Sequence, residues 1–244
     1  LVRSGLGLTV VVAATTAAPV QAQLDGSKQA GSQIYSEPQE QNDPGTSSRY
    51  SKAVANCLYK RLGKEKISEY LKASDPVSTD LKQAGLRWTR VERALEDCMG
   101  AWAETYYPDV RMAKIGMSFS QNRLRALLME EAYLDSQATP LKIAEGSGEL
   151  TDRTYVSRGK NLATAQGLGN FADCVAYRDA SGADAMLRTE PGSAEELAGA
   201  HSLGAVLGAC LIQGQEIEFT AASIRAIAAD GLWSRLNFGP KGTH

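Results

Sequence analysis

The heptapeptide ANCLYKR at Ala55 to Arg61 returns as ADCVAYR at Ala172 to Arg178, with a cysteine at the third place each time. The echo continues in order. Asp75-Pro76-x-Ser78 meets Glu190-Pro191-x-Ser193, Cys98-Met99 meets Cys210-Leu211, and FSQNRLRALLMEEAY from Phe119 meets FTAASIRAIAADGLW from Phe219 without a gap. Matching features in one order point to an internal duplication. The chain therefore reads as two tandem units, repeat 1 over 49–134 and repeat 2 over 168–238, with a linker over 135–167 and a short C-terminal tail over 239–244.

Each unit reads as about four helices, and the expected fold is all-α. In STDLKQAGLRWTRVERALEDCMGAW the residues Leu81, Ala84, Trp88, Val91, Leu95, Cys98 and Trp102 recur at steps of three and four, one stripe of an amphipathic helix. Its counterpart opens with Ser193-Ala-Glu-Glu196, a capping box, and is expected to carry Leu197, Ala200, Leu203, Leu207 and Cys210 inward along one core helix. Pro76 and Pro191 stand before these helices, where a proline stops whatever helix precedes it. No stretch sustains the period-two alternation of a half-buried strand. The linker holds Gly-rich EGSGEL and TAQGLG and is expected to form one short helix around Tyr155 to Ala165.

Four cysteines permit three pairings. The duplication selects Cys57 with Cys98 and Cys174 with Cys210, because each copy then closes its own loop, and the enclosed separations are 41 and 36 residues. The crossed pairing, Cys57 with Cys174 and Cys98 with Cys210, would instead staple the copies together, and four free thiols are the remaining alternative. Loops of that size restrict the unfolded chain by up to about 4 kcal/mol each, which matters in small units with little core to spare.

Disulfides call for an oxidising compartment, and the amino end supplies a route to one. LVRSGLGLTVVVAATTAAPVQAQ has a basic residue, a short apolar run and small residues before Gln23, the order of a secretory signal peptide with cleavage expected after Ala22. The run falls short of the roughly 20 apolar residues of a membrane span. Removal of 1–22 takes away Arg3 and leaves 25 Lys plus Arg against 28 Asp plus Glu, so the balance is mildly acidic. That argues against a nucleic-acid partner, which calls for a basic excess or stripe. The stretch over 23–48, rich in Gln, Ser, Gly, Pro and acid, buries too little to order itself and reads as a tail.

Catalytic chemistry finds few footholds. The chain has two histidines, His201 and the terminal His244; no G-x-S-x-G turn, C-x-x-C, H-E-x-x-H or phosphate-binding glycine loop occurs, and no catalytic, cofactor or metal-binding residue is assigned. Ser157-Arg-Gly-Lys160 matches S-x-x-K without its companion motifs. The recurring arginines, Arg61 with Arg178 and Arg125 with Arg225, read as residues that lay their stems on the core and pair with a carboxylate, Asp75 and Glu190 being the matched partners on offer. The copies differ most between the second cysteine and the following Phe, where repeat 1 holds 12 extra residues within MGAWAETYYPDVRMAKIGMS. Trp102, Tyr106, Tyr107 and Arg111 collect there, residue types enriched at binding surfaces, and they are the sequence's candidate contact surface.

The paired residues Ala55, Cys57 and Arg61, Asp75-Pro76-x-Ser78 and Cys98, with their counterparts, resemble a pattern in exported helical proteins of Gram-negative bacteria. The resemblance implies a periplasmic location and transfers no activity. The expectation is thus an exported, non-enzymatic helical protein that binds a protein, an envelope component or a small ligand. The alternatives are a cell-wall hydrolase working through carboxylates such as Glu104 and Asp109, and a stress-protective periplasmic chaperone.

Overall fold

A computed structural model describes residues 44–79, 88–106, 120–211 and 218–241, with side chains from 46–79, 89–101, 120–211 and 218–241. Among them the chain forms nine helices and no strand. These are α1 (Pro44–Leu62), α2 (Lys64–Lys72), α3 (Trp88–Tyr106), α4 (Gln121–Ser136), α5 (Lys160–Arg178), α6 (Ala180–Arg188), α7 (Ala194–Ser202), α8 (Gly204–Cys210) and α9 (Ala221–Phe238). No described helix is long and apolar enough to cross a membrane. Local chemistry fixes the boundaries: Ser120, Asp179, Ser193 and Thr220 each accept a backbone N–H at a helix start. Gly63, at φ 89°, turns the chain between α1 and α2 in a conformation an L side chain resists.

Helix α9 is the hub, packing against α4, α5, α6 and α7, while α1 packs against α2, α3 and α4. The main core joins Val54 and Leu58 of α1, Ile67 and Leu71 of α2, Leu128 and Tyr133 of α4, and Leu232 and Trp233 of α9, so both aligned segments contribute to one interior. A smaller cluster gathers Val175, Met186, Ala200, Leu203, Leu207 and Ile224 under α7 and α8. Cys57 is bonded to Cys98, tying α1 to α3, and Cys174 to Cys210, tying α5 to α8. These are the two pairs that close a loop within each aligned segment.

Between α4 and α9 the polar contacts are reciprocal. Arg125 of α4 lies 3.0 Å from Asp230 of α9, and Arg225 of α9 lies 2.9 Å from Glu130 of α4. The gapless alignment sets Arg125 opposite Arg225 and Glu130 opposite Asp230, so each helix gives its arginine to the other's acid. Arg125 also donates to Ser74 Oγ (3.0 Å) and Arg225 to Thr189 Oγ1 (3.3 Å), the residues just before the aligned Asp75 and Glu190.

Several local expectations are revised. The predicted core helix after Ser193 is two short helices that meet at Leu203. Leu197 is 54% exposed rather than buried; its neighbour Glu196 turns inward to reach Arg225 at 2.9 Å, and one residue is about 100° of helix. Helix α1 starts at Pro44, inside the stretch read as tail, and α5 starts at Lys160, leaving Tyr155 in an irregular run ahead of it. Among the described residues Asp75 pairs with no arginine; it accepts the backbone amides of Val77, Ser78, Val156 and Ser157. The signal segment, the tail up to residue 43, Leu81, Ala84, Tyr107, Asp109, Arg111 and His244 lie outside the described residues, as do the side chains of Trp88, Trp102, Glu104 and Tyr106.

A candidate ligand groove between α1 and α4

Two buried polar clusters flank the α4–α9 contact. In the first, Asp230 holds Arg125 at 3.0 Å and Arg153 at 2.7 Å, while Asp173 holds Arg153 and accepts both the amide (2.8 Å) and the hydroxyl (2.7 Å) of Thr151. Burial pushes the Asp230 carboxyl up, but the Arg153 and Arg125 guanidiniums outweigh it and hold the group below the usual carboxylate range. In the second, Arg225 is bound by Glu130 and Glu196 and by the carbonyls of Met186, Leu187 and Thr189, and Lys52 pairs with Glu130. These networks are closed, with donors and acceptors spent on one another.

The second cluster opens onto a groove of about 1000 Å³. One wall is α1, which presents Arg49, Lys52, Asn56, Tyr59 and Lys60; these recur at helical spacing and so share a face. The opposite wall is α4 with Glu131, Leu134 and Asp135, and the turn Arg188 to Pro191 closes one end. Cations and carboxylates interleave along it. Glu131 accepts from Asn56 Nδ2 and sits 3.8 Å from Lys52. Asp135 accepts from the Tyr59 hydroxyl (3.0 Å) and pairs with Lys64 at 3.1 Å. Arg49 reaches Glu190 at 3.5 Å. A smaller cavity of about 320 Å³ meets the groove at Pro191 and runs between Ala126, Leu127, Ala222 and Ala226.

The environment splits the two α4 carboxylates. Burial raises the Glu131 carboxyl, with the Asn56 hydrogen bond and Lys52 charge only partly offsetting it. The Lys64 and Tyr59 hydrogen bonds hold Asp135 below the usual range. The Tyr59 hydroxyl is pushed up by burial and then by the neighbouring Asp135.

The sequence's candidate contact residues Trp102, Tyr106, Tyr107 and Arg111 lie outside the described side chains. Arg61 and Arg178 pair on the surface with Asp97 (2.9 Å) and Glu149 (3.6 Å). His201 is exposed on α7. Ser157 of the S-x-x-K match is buried and donates its hydroxyl to Asp75 at 2.9 Å, which ties it into the structure. Among the described residues no group of three or more His, Cys, Asp or Glu is placed to hold a metal ion. Sequence reasoning missed the groove because its walls come from helices some 75 residues apart; the one available signal was the polar face of α1 at Arg49, Lys52, Asn56 and Lys60. No protein-family model, curated protein or solved structure matches the chain.

Proposed function

We propose that this is an exported, non-enzymatic binding protein, made of two duplicated disulfide-pinned helical units, whose ligand site is the groove between α1 and α4. The observation that carries the reading is the groove itself: about 1000 Å³, within the size range of ligand sites, and lined by alternating charges with an aromatic hydroxyl. Along the groove, cations and carboxylates pair on an accessible face, as Arg49 with Glu190 and Lys64 with Asp135 do. The reciprocal arginine pairs of α4 and α9 support the duplication, the two disulfides are compatible with an oxidising compartment, and the apolar leader supports secretion.

The test is capture from envelope extract by the wild-type chain, by Asp135→Lys and by a chain lacking residues 101–118. The groove reading expects capture to fall with Asp135→Lys. Loss only on removal of 101–118 would move the site to the aromatic insertion.

One observation favours carboxylate catalysis as a second reading. Glu131 and Asp135 lie one turn apart in the groove, one raised and one lowered, which is the division of labour between a general acid and an ionised partner. Hydrolysis of cell-wall oligosaccharide abolished by Glu131→Gln would establish it; binding without turnover would dismiss it.

A further inference from the structure

The face of the second segment that corresponds to the groove is already occupied, and by the chain itself. Extending the helix registers of the matched heptapeptides and of the gapless α4 and α9 alignment sets Lys52 against Gly169, Asn56 against Asp173, Asp135 against Arg235, and Glu190 against Asp75. Lys52, Asn56, Asp135 and Glu190 line the open groove. Their counterparts all carry the run from Gly148 to Ser157, which contains no helix. Arg235 donates to the carbonyls of Gly148 (3.0 Å) and Glu149. Asp173 takes the amide and hydroxyl of Thr151 and the guanidinium of Arg153. A Cβ on Gly169 would stand 2.4 Å from the Tyr155 hydroxyl, so that ring fills the space a side chain would need. Asp75 accepts the amides of Val156 (2.9 Å) and Ser157 (2.7 Å).

Resting on the groove being the ligand site, we infer that it receives an extended peptide segment of a partner protein, laid along the path that residues 148–157 follow over α5 and α9. The peptide runs from the Asp135 end to the Glu190 end. Glu190, like Asp75, offers a carboxylate to backbone amides, whereas Asp135 stands where Arg235 donates to two carbonyls, so the peptide's native sequence must turn a donor toward Asp135 at that end.

One substitution sets the specificity. Arg153 reaches between Asp173 and Asp230; the aligned acid on α4 is Glu130, buried behind the groove wall, and Lys52 of α1 already supplies it a cation from the groove side. A peptide for the groove therefore carries no basic residue at that place.

The test uses fluorescein-labelled nonapeptides in anisotropy titrations against the full chain. One is ELTDRTYVS, the sequence of residues 149–157, and the other is ELTDATYVS. The wild type is expected to bind the alanine peptide at least about tenfold more tightly, since the arginine would meet Lys52 as a like charge. Lys52→Gly, which restores the arrangement at Gly169, should reverse the order, and Lys52→Ala should not, because its Cβ stands in the way of the tyrosine ring. Asp135→Lys, which puts a cationic donor where Arg235 holds the carbonyls of the same sequence, should tighten both peptides. Absence of binding to either peptide, or binding indifferent to Lys52→Gly and Asp135→Lys, overturns the inference. If the peptides fail while Asp135→Lys still loses the captured envelope component, the groove reading stands and the peptide does not. Thermal unfolding of each variant separates loss of binding from loss of fold.

Discussion

Helix pairs α1–α4 and α5–α9 are built from aligned sequence, yet one is parted by a groove and the other is closed. The difference sits at few positions. Where α4 has Glu131, α9 has Gly231, and a Cβ there would come within 2.1 Å of the Ala172 carbonyl oxygen of α5. Where α1 has Tyr59, α5 has Ala176, whose methyl would be 2.9 Å from the same Cβ. Small residues draw α5 against α9, leaving no room there for a ring like that of Tyr59, and the run 148–157 covers what remains. Large polar residues hold α1 off α4 and leave charges facing solvent. A difference of side-chain volume at one helix crossing thus goes with a closed contact in one pair and an open groove in the other.

The comparison breaks most completely if the crossings are exchanged. Gly231→Glu should abolish folding or cost more than about 4 kcal/mol in urea, since the obstacle is backbone and overpacking of even a few atoms costs about 1–3 kcal/mol. Glu131→Gly should cost only about 1 kcal/mol, the penalty of glycine in a helix. Comparable losses from the two substitutions would show that the crossings do not differ as described.

Next in size is Asp230→Asn, which leaves Arg125 and Arg153 buried without their shared counter-charge and should cost about 3–5 kcal/mol. The Asp230 carboxyl is held low in the fold. Its contribution is therefore fully present above the unfolded value of about 3.9 and is lost as pH falls through the folded value. Asp75, held low by the amides of Ser78, Ser157 and Val77 against the opposing effect of burial, adds in the same direction. Acid unfolding should accordingly lose much of its pH dependence in Asp230→Asn, as read from urea midpoints between about pH 5 and pH 2.

The disulfides come third and should be nearly equal. Cys98→Ser and Cys210→Ser open loops of similar length, 41 and 36 residues, so each should cost about 2–4 kcal/mol with little between them. A much larger loss from one would show that the main core and the smaller cluster under α7 and α8 depend unequally on their bridges. Smallest is Glu131→Gln. Burial raises the Glu131 carboxyl, so its ionised form is disfavoured above about pH 4.3 and the cost vanishes below. The substitution should raise Tm by under about 2 °C at neutral pH and leave it unchanged in acid.

Much of the fold was legible in local order. The spacing of Val91, Leu95 and Cys98 marked the inward stripe of α3, Ser193 and Glu196 announced the start of α7, and the two cysteine pairs could be chosen from the order of matched residues alone. Ala200, Leu203 and Leu207 turn inward as their spacing predicted, but Leu197 at the head of that stripe does not, because the neighbouring Glu196 takes the inward place to reach buried Arg225. The ionic partners of Arg125 and Arg225 were equally out of reach: each lies about a hundred residues away on the other segment, and only the packing of α4 on α9 brings them together.

By itself, then, the sequence determined the helical class and the sulfur bridges, since helix periodicity, caps and loop closure are short-range or combinatorial properties. The tertiary structure decided that both aligned segments share one core, that the run before α5 covers one helix crossing, and that the corresponding crossing stands open. Those outcomes turn on the distance between helices, set by the volume of a few residues at the contacts, and a residue's volume has meaning only once its neighbour across the interface is known.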